Sequence, residues 1–480
     1  MSVREDKVDN KHKAGDLYDS EDDDNRERAV QWFCGSTTAH GIPHAFEEGS
    51  HPVRRALWVI AFVFSLSLFI VVVADKLSTF FLFEKSTAIS ISFTSRMEFP
   101  WVTLCNVNIF QCDKLPGDHF NECSTPSASL DELGYRYPQL LNMTFKESLL
   151  QYSETLLDFI PYCEYKGDVC DPSSVVETFD IDYGRCYTFV PPVGQTISRP
   201  GEKDKLLMIL NIQSDRYLGL QPNSGAKMVV HNANVPPIPN TGIALKPGSL
   251  TQVAIARREI VSINNEDCYF DIFGSLSKSC EDLPLNVSYS VSQCYRDCEG
   301  TIIEQYCNCT AAGYVSSTNP SLPECKLSDF SCMDAVRSYF DEHDEAVAEC
   351  NCLERCNVVE YLGTPSSFNY PAPSYAKHFL STAFPDSDAI DFEQDAIILE
   401  VFFRDLNSEI VKESWSYTPT SLLSDLGGNM GLFVGFSILT LFELAEFFVR
   451  CCMAARHGKR GDKFRQKKAA QVVPSSSATQ

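Results

Sequence analysis

The sequence predicts a membrane protein of α+β class, with two transmembrane helices bracketing a large, disulfide-rich extracellular domain. Three observations carry that expectation. Two apolar segments, one towards each end of the 480-residue chain, are long enough to cross a bilayer. Seventeen of the twenty cysteines lie between Cys105 and Cys356, a density that suits an oxidising compartment. Arginines and lysines flank the outer sides of both apolar segments, which places both termini in the cytosol by the positive-inside rule.

The formal charge of −24 argues against a nucleic-acid partner, because a polyanion would be repelled. Neither a nucleophile elbow nor a metal-ligand spacing occurs, so no enzyme, catalytic residue, cofactor or metal site is expected.

Residues 1–52 read as a polar cytosolic tail with an acidic cluster at Glu21 to Asp24 and a His40-Gly41 pair. Met1 to Asp24 lacks the apolar core of a secretory signal, so the first apolar run is expected to insert the chain. Ala56 to Ala74 holds nineteen residues without a charge, roughly 28 Å of helix, and predicts a span over 53–75. Residues 76–421 then lie outside. Alternating β-branched and aromatic runs predict strands at Ile89–Thr94, Lys205–Ile212, Ala226–His231, Thr251–Val261 and Ala396–Phe403. The first and last of these adjoin the membrane segments and are expected to pair. Val336 to Cys356 reads as helical. Sequons at Asn142, Asn286 and Asn308 are candidate glycosylation sites, with outward placement favouring the first two.

The second span, 422–449, carries Asp425, Asn429, Glu443 and Glu446 within an apolar run. Ionisable groups are costly in hydrocarbon and normally face a protein interior or a water-filled path. Gly427, Gly431 and Gly435 recur every fourth residue, a ridge that admits close helix packing. On a continuous helix Asp425 and Glu443, eighteen residues apart, share a face. Phe436 would share it and obstruct a pore. A basic tail, 450–480, follows and can meet anionic inner-leaflet lipids.

Several motifs together resemble the degenerin / epithelial sodium channel superfamily, acid-sensing ion channels above all. They are His40-Gly41, Phe99 to Asn108 (FPWVTLCNVN), Tyr183 to Phe189 (YGRCYTF), the cysteine block from Cys294 to Cys356, and Leu422 to Phe447. The resemblance covers most of residues 38–450. It implies a plasma-membrane trimer, homomeric or built with related subunits, around a sodium-conducting pore blocked by amiloride-type drugs. It implies disulfides Cys105–Cys186, Cys163–Cys170, Cys268–Cys356, Cys294–Cys352, Cys298–Cys350, Cys307–Cys332 and Cys309–Cys325. Cys112, Cys123 and Cys280 are left over, and the first two can close a local loop.

By the same resemblance Gly435, Phe436 and Ser437 form the selectivity filter, with His40 and Gly41 nearby. Ser421, Asp425, Gly428, Gly431, Leu432, Glu443 and Glu446 belong to the gate and pore. A filter built on glycine has a physical basis, since exposed carbonyls replace part of an ion's hydration shell. Phe436 departs from the small residue of acid-sensing members. Glu84 and Lys85 stand where those members place histidines, and Arg257 stands where they place an acidic-pocket carboxylate. Lys227 matches a basic residue used in proton sensing, and Asp334 belongs to an acidic group with Asp341, Glu342, Asp344 and Glu345. The stimulus is accordingly read as extracellular protons, a peptide or other small ligand, or constitutive opening modulated by ions. An ATP-gated purinergic-type channel and a non-channel adhesion receptor are the competing classes. The first needs a cationic pocket for ATP, and the second leaves the intramembrane carboxylates unexplained.

Overall fold

The computed structural model describes residues 32–35, 37–38, 41–47, 49–116, 130–218, 222–233, 235–264, 289–314, 321–375 and 393–450. His40, Cys123, Cys268, Cys280, Asn286, the acidic cluster at 21–24 and the basic tail beyond Arg450 lie outside them. The chain divides into two compact units, Met1–Ser86 with Trp415–Gln480, and Thr87–Ser414.

In the first unit a helix over Pro52–Phe81 (α1) is long and apolar enough to cross a membrane. It outruns the expected 53–75 because Asp75, Lys76, Ser78 and Thr79 continue the helical hydrogen-bonding beyond the apolar run. His51 accepts from the Val53 N–H and Pro52 opens the first turn, both suited to a helix start. The second apolar segment is two helices, Pro419–Val434 (α2) and Ile438–Arg450 (α3), bent by 72° at the break between them; together they pass the same test of length and composition.

The second unit is built on two principal sheets. The larger contains, in spatial order, Asn357–Asn369, Ser249–Val261, Ala396–Trp415, Leu206–Asn211, Tyr162–Tyr165 and Asp168–Val169, with Lys85–Phe93 paired to Ala396–Trp415. The strands adjoining the two membrane segments in the chain therefore do pair. Ser249–Val261 alternates buried and half-buried side chains along its first half, as period-2 patterning requires. Asn357–Asn369 is an edge strand, which is why it tolerates Pro365 opposite Val253. The smaller sheet runs Ile243–Leu245, Ala226–His231, Trp101–Asn106, Gly184–Phe189 and Val175–Asp180. Phe99, Tyr165, Tyr187, Phe189, Met208, Ile255, Leu399 and Phe403 fill one shared core between these strands. A second core gathers Phe110, Leu133, Leu149, Ile303, Met333 and Val336 around the helices.

Among the described residues six disulfides join both partners: Cys105–Cys186, Cys163–Cys170, Cys294–Cys352, Cys298–Cys350, Cys307–Cys332 and Cys309–Cys325. Cys112 and Cys356 are also disulfide-bonded. The helical reading of Val336 to Cys356 is corrected. Helices span Phe330–Glu342 and Asp344–Glu349, broken at His343, and end before the cysteines. Cys350 and Cys352 leave the helical path to reach Cys298 and Cys294 on the helix Val291–Cys307.

An ionic network ties that helix to the end of Val175–Asp180. Arg296 pairs with Asp180 at 2.5 Å, Arg337 with Asp182 at 2.7 Å, and the Tyr314 hydroxyl donates to Glu299 at 3.0 Å. Removing one partner of such a pair leaves an uncompensated charge, which makes the network a point of rigidity.

Candidate ion pathway

The geometry begins at the start of α2. Thr418 is its N-cap: its hydroxyl accepts from the Ser421 N–H at 3.1 Å and lies 2.8 Å from the Ser421 hydroxyl. Pro419 follows at a position where its missing N–H costs nothing. Around this end Phe80, Phe83, Trp415 and Tyr417 make an aromatic collar. Aromatic side chains of this kind favour the level of lipid headgroups. The collar holds two of the sequence-derived candidates. The Glu84 carbonyl accepts from the Ser416 N–H at 2.9 Å, and the Lys85 ammonium lies 5.9 Å from the Trp415 ring centre.

One turn into α2, Asp425 accepts a hydrogen bond from the Tyr417 hydroxyl at 2.6 Å and an ion pair from Lys76 of α1 at 3.5 Å. Gly427 and Gly428 have open space where a side chain would be, with no other part of the described residues against them. Leu432 is exposed, and Gly431 is half-buried.

The helix then stops at Gly435. Its φ of +70° is a left-handed conformation that glycine adopts without Cβ strain. Its N–H reaches the Gly431 carbonyl at 3.1 Å, and the Phe436 N–H reaches the Met430 carbonyl at 3.1 Å. The Ser65 hydroxyl of α1 donates to the Phe433 carbonyl, occupying one carbonyl of the last turn. Ser437 restarts the helix: its hydroxyl accepts from the Thr440 N–H at 3.4 Å, while the Thr440 hydroxyl accepts from the Ser437 N–H at 3.0 Å. This break corrects the continuous-helix arithmetic. A 72° bend resets the helical phase, so Asp425, Phe436 and Glu443 do not fall on one straight face. Phe436 is half-buried and Ser437 exposed.

Below the break Glu443 receives the N-terminal segment. The Thr38 N–H donates to it at 3.0 Å and the Thr37 hydroxyl at 3.2 Å. The Thr38 hydroxyl also lies 2.7 Å from that of the fully buried Thr440. A hydroxyl relay thus joins Ser437, Thr440, Thr38 and Glu443. Gly41 has a φ of +89°, and a Cβ there would touch Phe62 and Trp58 of α1. Glu446 pairs instead with Arg450, four residues on, at 2.6 Å.

The remaining candidates lie in the outer unit. Lys227 donates to the Gly242 carbonyl at 3.3 Å. Arg257 donates to the Ser408 hydroxyl at 2.6 Å and pairs with Glu259 at 3.2 Å. Asp334, Asp341, Glu342, Asp344 and Glu345 are exposed. Asn142 is exposed at the end of a short 3-10 helix, and Asn308 is exposed at the end of Val291–Cys307. One group had no sequence signal. Glu154 is fully enclosed, with one carboxylate oxygen unpartnered, and burial pushes its pKa up to about 7 against the pull of its own N–H, Lys114 and Arg185. His231, buried against the Thr103 hydroxyl at 2.8 Å, is driven the other way, down to about 4.

A disulfide-stapled, β-rich unit joined in one chain to a unit with long apolar helices and a glycine-broken, carboxylate-bearing segment suits the class of membrane ion channels. The chain belongs to the amiloride-sensitive sodium channel family, which matches it over residues 33–447. It is 28% identical to human acid-sensing ion channel 2 over 453 residues, 87% of this chain and 86% of that one. It is 26% identical to acid-sensing ion channel 1 of Gallus gallus over 456 residues, covering 87% and 83%. Acid-sensing ion channel 1C of Danio rerio is 27% identical over 465 residues, covering 89% and 85%. These are ion channels, not enzymes, and the chain is a sodium channel of their superfamily.

Proposed function

We propose that three copies of this chain, or this chain with related subunits, surround a plasma-membrane pore lined by α2 and α3 and opened by an extracellular stimulus to admit sodium. Each subunit crosses the membrane twice with both termini in the cytosol. The observation that carries the reading is the break at Gly435-Phe436-Ser437, set between Asp425 on one side and Glu443 on the other. Glycine at this point allows carbonyls to face an ion, and rings of carboxylates concentrate cations and repel anions. Gly427 and Gly428, open on the side a side chain would take among the described residues, support packing of a neighbouring subunit there.

Extracellular protons are the stimulus favoured by the acid-sensing relatives, and amiloride sensitivity follows from the family description. Gating by a peptide or other small ligand is the second reading. It is favoured by Glu84 and Lys85, since neither is the histidine that acid-sensing members place there. Glu84, Lys85, Lys227, Arg257 and Asp334 are the residues to vary. Glycosylation at Asn142 agrees with its exposure. Whole-cell recording with sodium outside, first stepping pH and then adding amiloride, tests the reading. Inward current on acidification that amiloride blocks supports proton gating. Amiloride-blocked current without any pH response removes that reading in favour of constitutive opening modulated by ions, and silence at every pH leaves the ligand-gated one.

The filter placement makes a separate prediction. Phe436→Ala is expected to alter sodium-over-potassium permeability or unitary conductance severalfold, because it removes a ring from the proposed filter. Reversal potentials and single-channel records check it. Wild-type values for both would exclude the Phe436 side chain from the path.

A further inference from the structure

Three parts of the chain converge on the Asp425 carboxylate. Lys76 comes from the outer end of α1, Tyr417 from the linker before α2, and Asp425 from the first turns of α2 itself. The Tyr417 hydroxyl donates at 2.6 Å, the Lys76 ammonium lies at 3.5 Å, and that ammonium also stands 5.8 Å from the Tyr417 ring centre. Lysine and aspartate side chains are 36% and 38% exposed, so the pair is open to exchange with ions from solution. A lysine ammonium and a sodium ion are alternative neutralisers of one carboxylate. The ammonium is tethered to the other membrane helix, so its departure changes how α1 and α2 are held together as well as the charge at the mouth.

We propose that Lys76 is the resting counter-ion of Asp425, a clasp between the two membrane helices that must release the carboxylate before sodium can use it. The proposal rests on the reading that Asp425 lies in the conduction path. An unpaired carboxylate beside an apolar segment is costly, which favours the closed clasp whenever no cation takes the place of Lys76. Tyr417 steers the carboxylate towards that position and offers the ammonium an aromatic face, an arrangement attractive to cations. Exposed ion pairs contribute modestly on their own, so the clasp biases the gate rather than locking it.

A double-mutant cycle on the full-length channel tests the clasp, reading resting sodium current per channel at the surface. Lys76→Gln and Asp425→Asn are each expected to raise the resting open-to-closed ratio about tenfold, and the double variant to raise it no further. The exchange Lys76→Asp with Asp425→Lys should restore closure. Effects that multiply in the double variant, or a failed restoration by a surface-expressed exchange, overturn the clasp. If Lys76→Gln does not reach the surface, Tyr417→Phe keeps both charges and should raise the ratio in the same direction; no change there also overturns it. Unitary conductance separates the two ideas. Unchanged conductance in Asp425→Asn removes Asp425 from the path, whereas lost coupling with altered conductance sinks the clasp alone.

Discussion

Ser421→Phe is expected to produce a channel that carries sodium at rest. Ser421 sits in the first turn of α2, half-buried, with its N–H and hydroxyl both turned to the capping Thr418. Residues four apart on a helix stack on one face, so Ser421 stands one turn above Asp425. A phenylalanine there loses the hydroxyl contact and needs room that a closed mouth lacks. Overpacking costs about 1–3 kcal/mol, which corresponds to a shift of about 5- to 150-fold in a two-state equilibrium. Resting amiloride-sensitive current, normalised to surface-labelled protein, checks the expectation. Ser421→Ala serves as the control, because the Thr418 cap remains and no volume is added. A Phe variant that reaches the surface and stays silent places the gate elsewhere.

The elements most legible in the sequence were those fixed by local patterning. Ala226–His231 is a strand over the bounds that its β-branched run predicts, and Leu206–Asn211 is one residue shorter at each end than expected. Where long-range bonds compete with local preference, the reading failed. The run from Val336 has helical composition throughout, but disulfides to Cys294 and Cys298 pull Cys350 and Cys352 out of a helix. The second apolar segment shows the same limit. Its residues could be assigned to one span, yet Gly435 in a left-handed conformation ends one helix and Ser437 caps another.

The carboxylates of that segment could be picked out from sequence, because charge in an apolar run is conspicuous. Their partners could not. Thr38 lies 405 residues from Glu443, and no short-range rule connects them. Lys76 is likewise far from Asp425 in the chain. Glu446 alone has a partner at helical spacing, Arg450, and that pair was readable in principle.

Glu154 is the extreme case, since its behaviour comes wholly from burial, and it sets the last expectation. Around it stand Lys114, Asp158, Arg185 and Tyr187. The Arg185 guanidinium and the Tyr187 hydroxyl both donate to its backbone carbonyl, at 3.2 and 2.9 Å, rather than to its carboxylate. Burial raises its pKa from 4.5 to about 7. The folded protein therefore binds more protons than the unfolded chain between those values. Its contribution to stability is fully present below about pH 4.5 and is lost as pH rises to about 7, a difference of about 3 kcal/mol. His231, held down from 6.5 to about 4, acts with the opposite sign: the unfolded chain binds more protons between those values, so its contribution rises with pH across much of the same window. Glu154→Gln keeps the shape and removes the charge. It is expected to raise the apparent melting temperature by several degrees at pH 8, with little effect at pH 5, so that the gap between variant and wild type widens with pH. Identical melting profiles for both proteins between pH 5 and 8 would show that the carboxyl is not held neutral. A gap that widens with pH would place a proton-binding reaction of the folded, disulfide-stapled unit inside the pH range that the current recordings must step through.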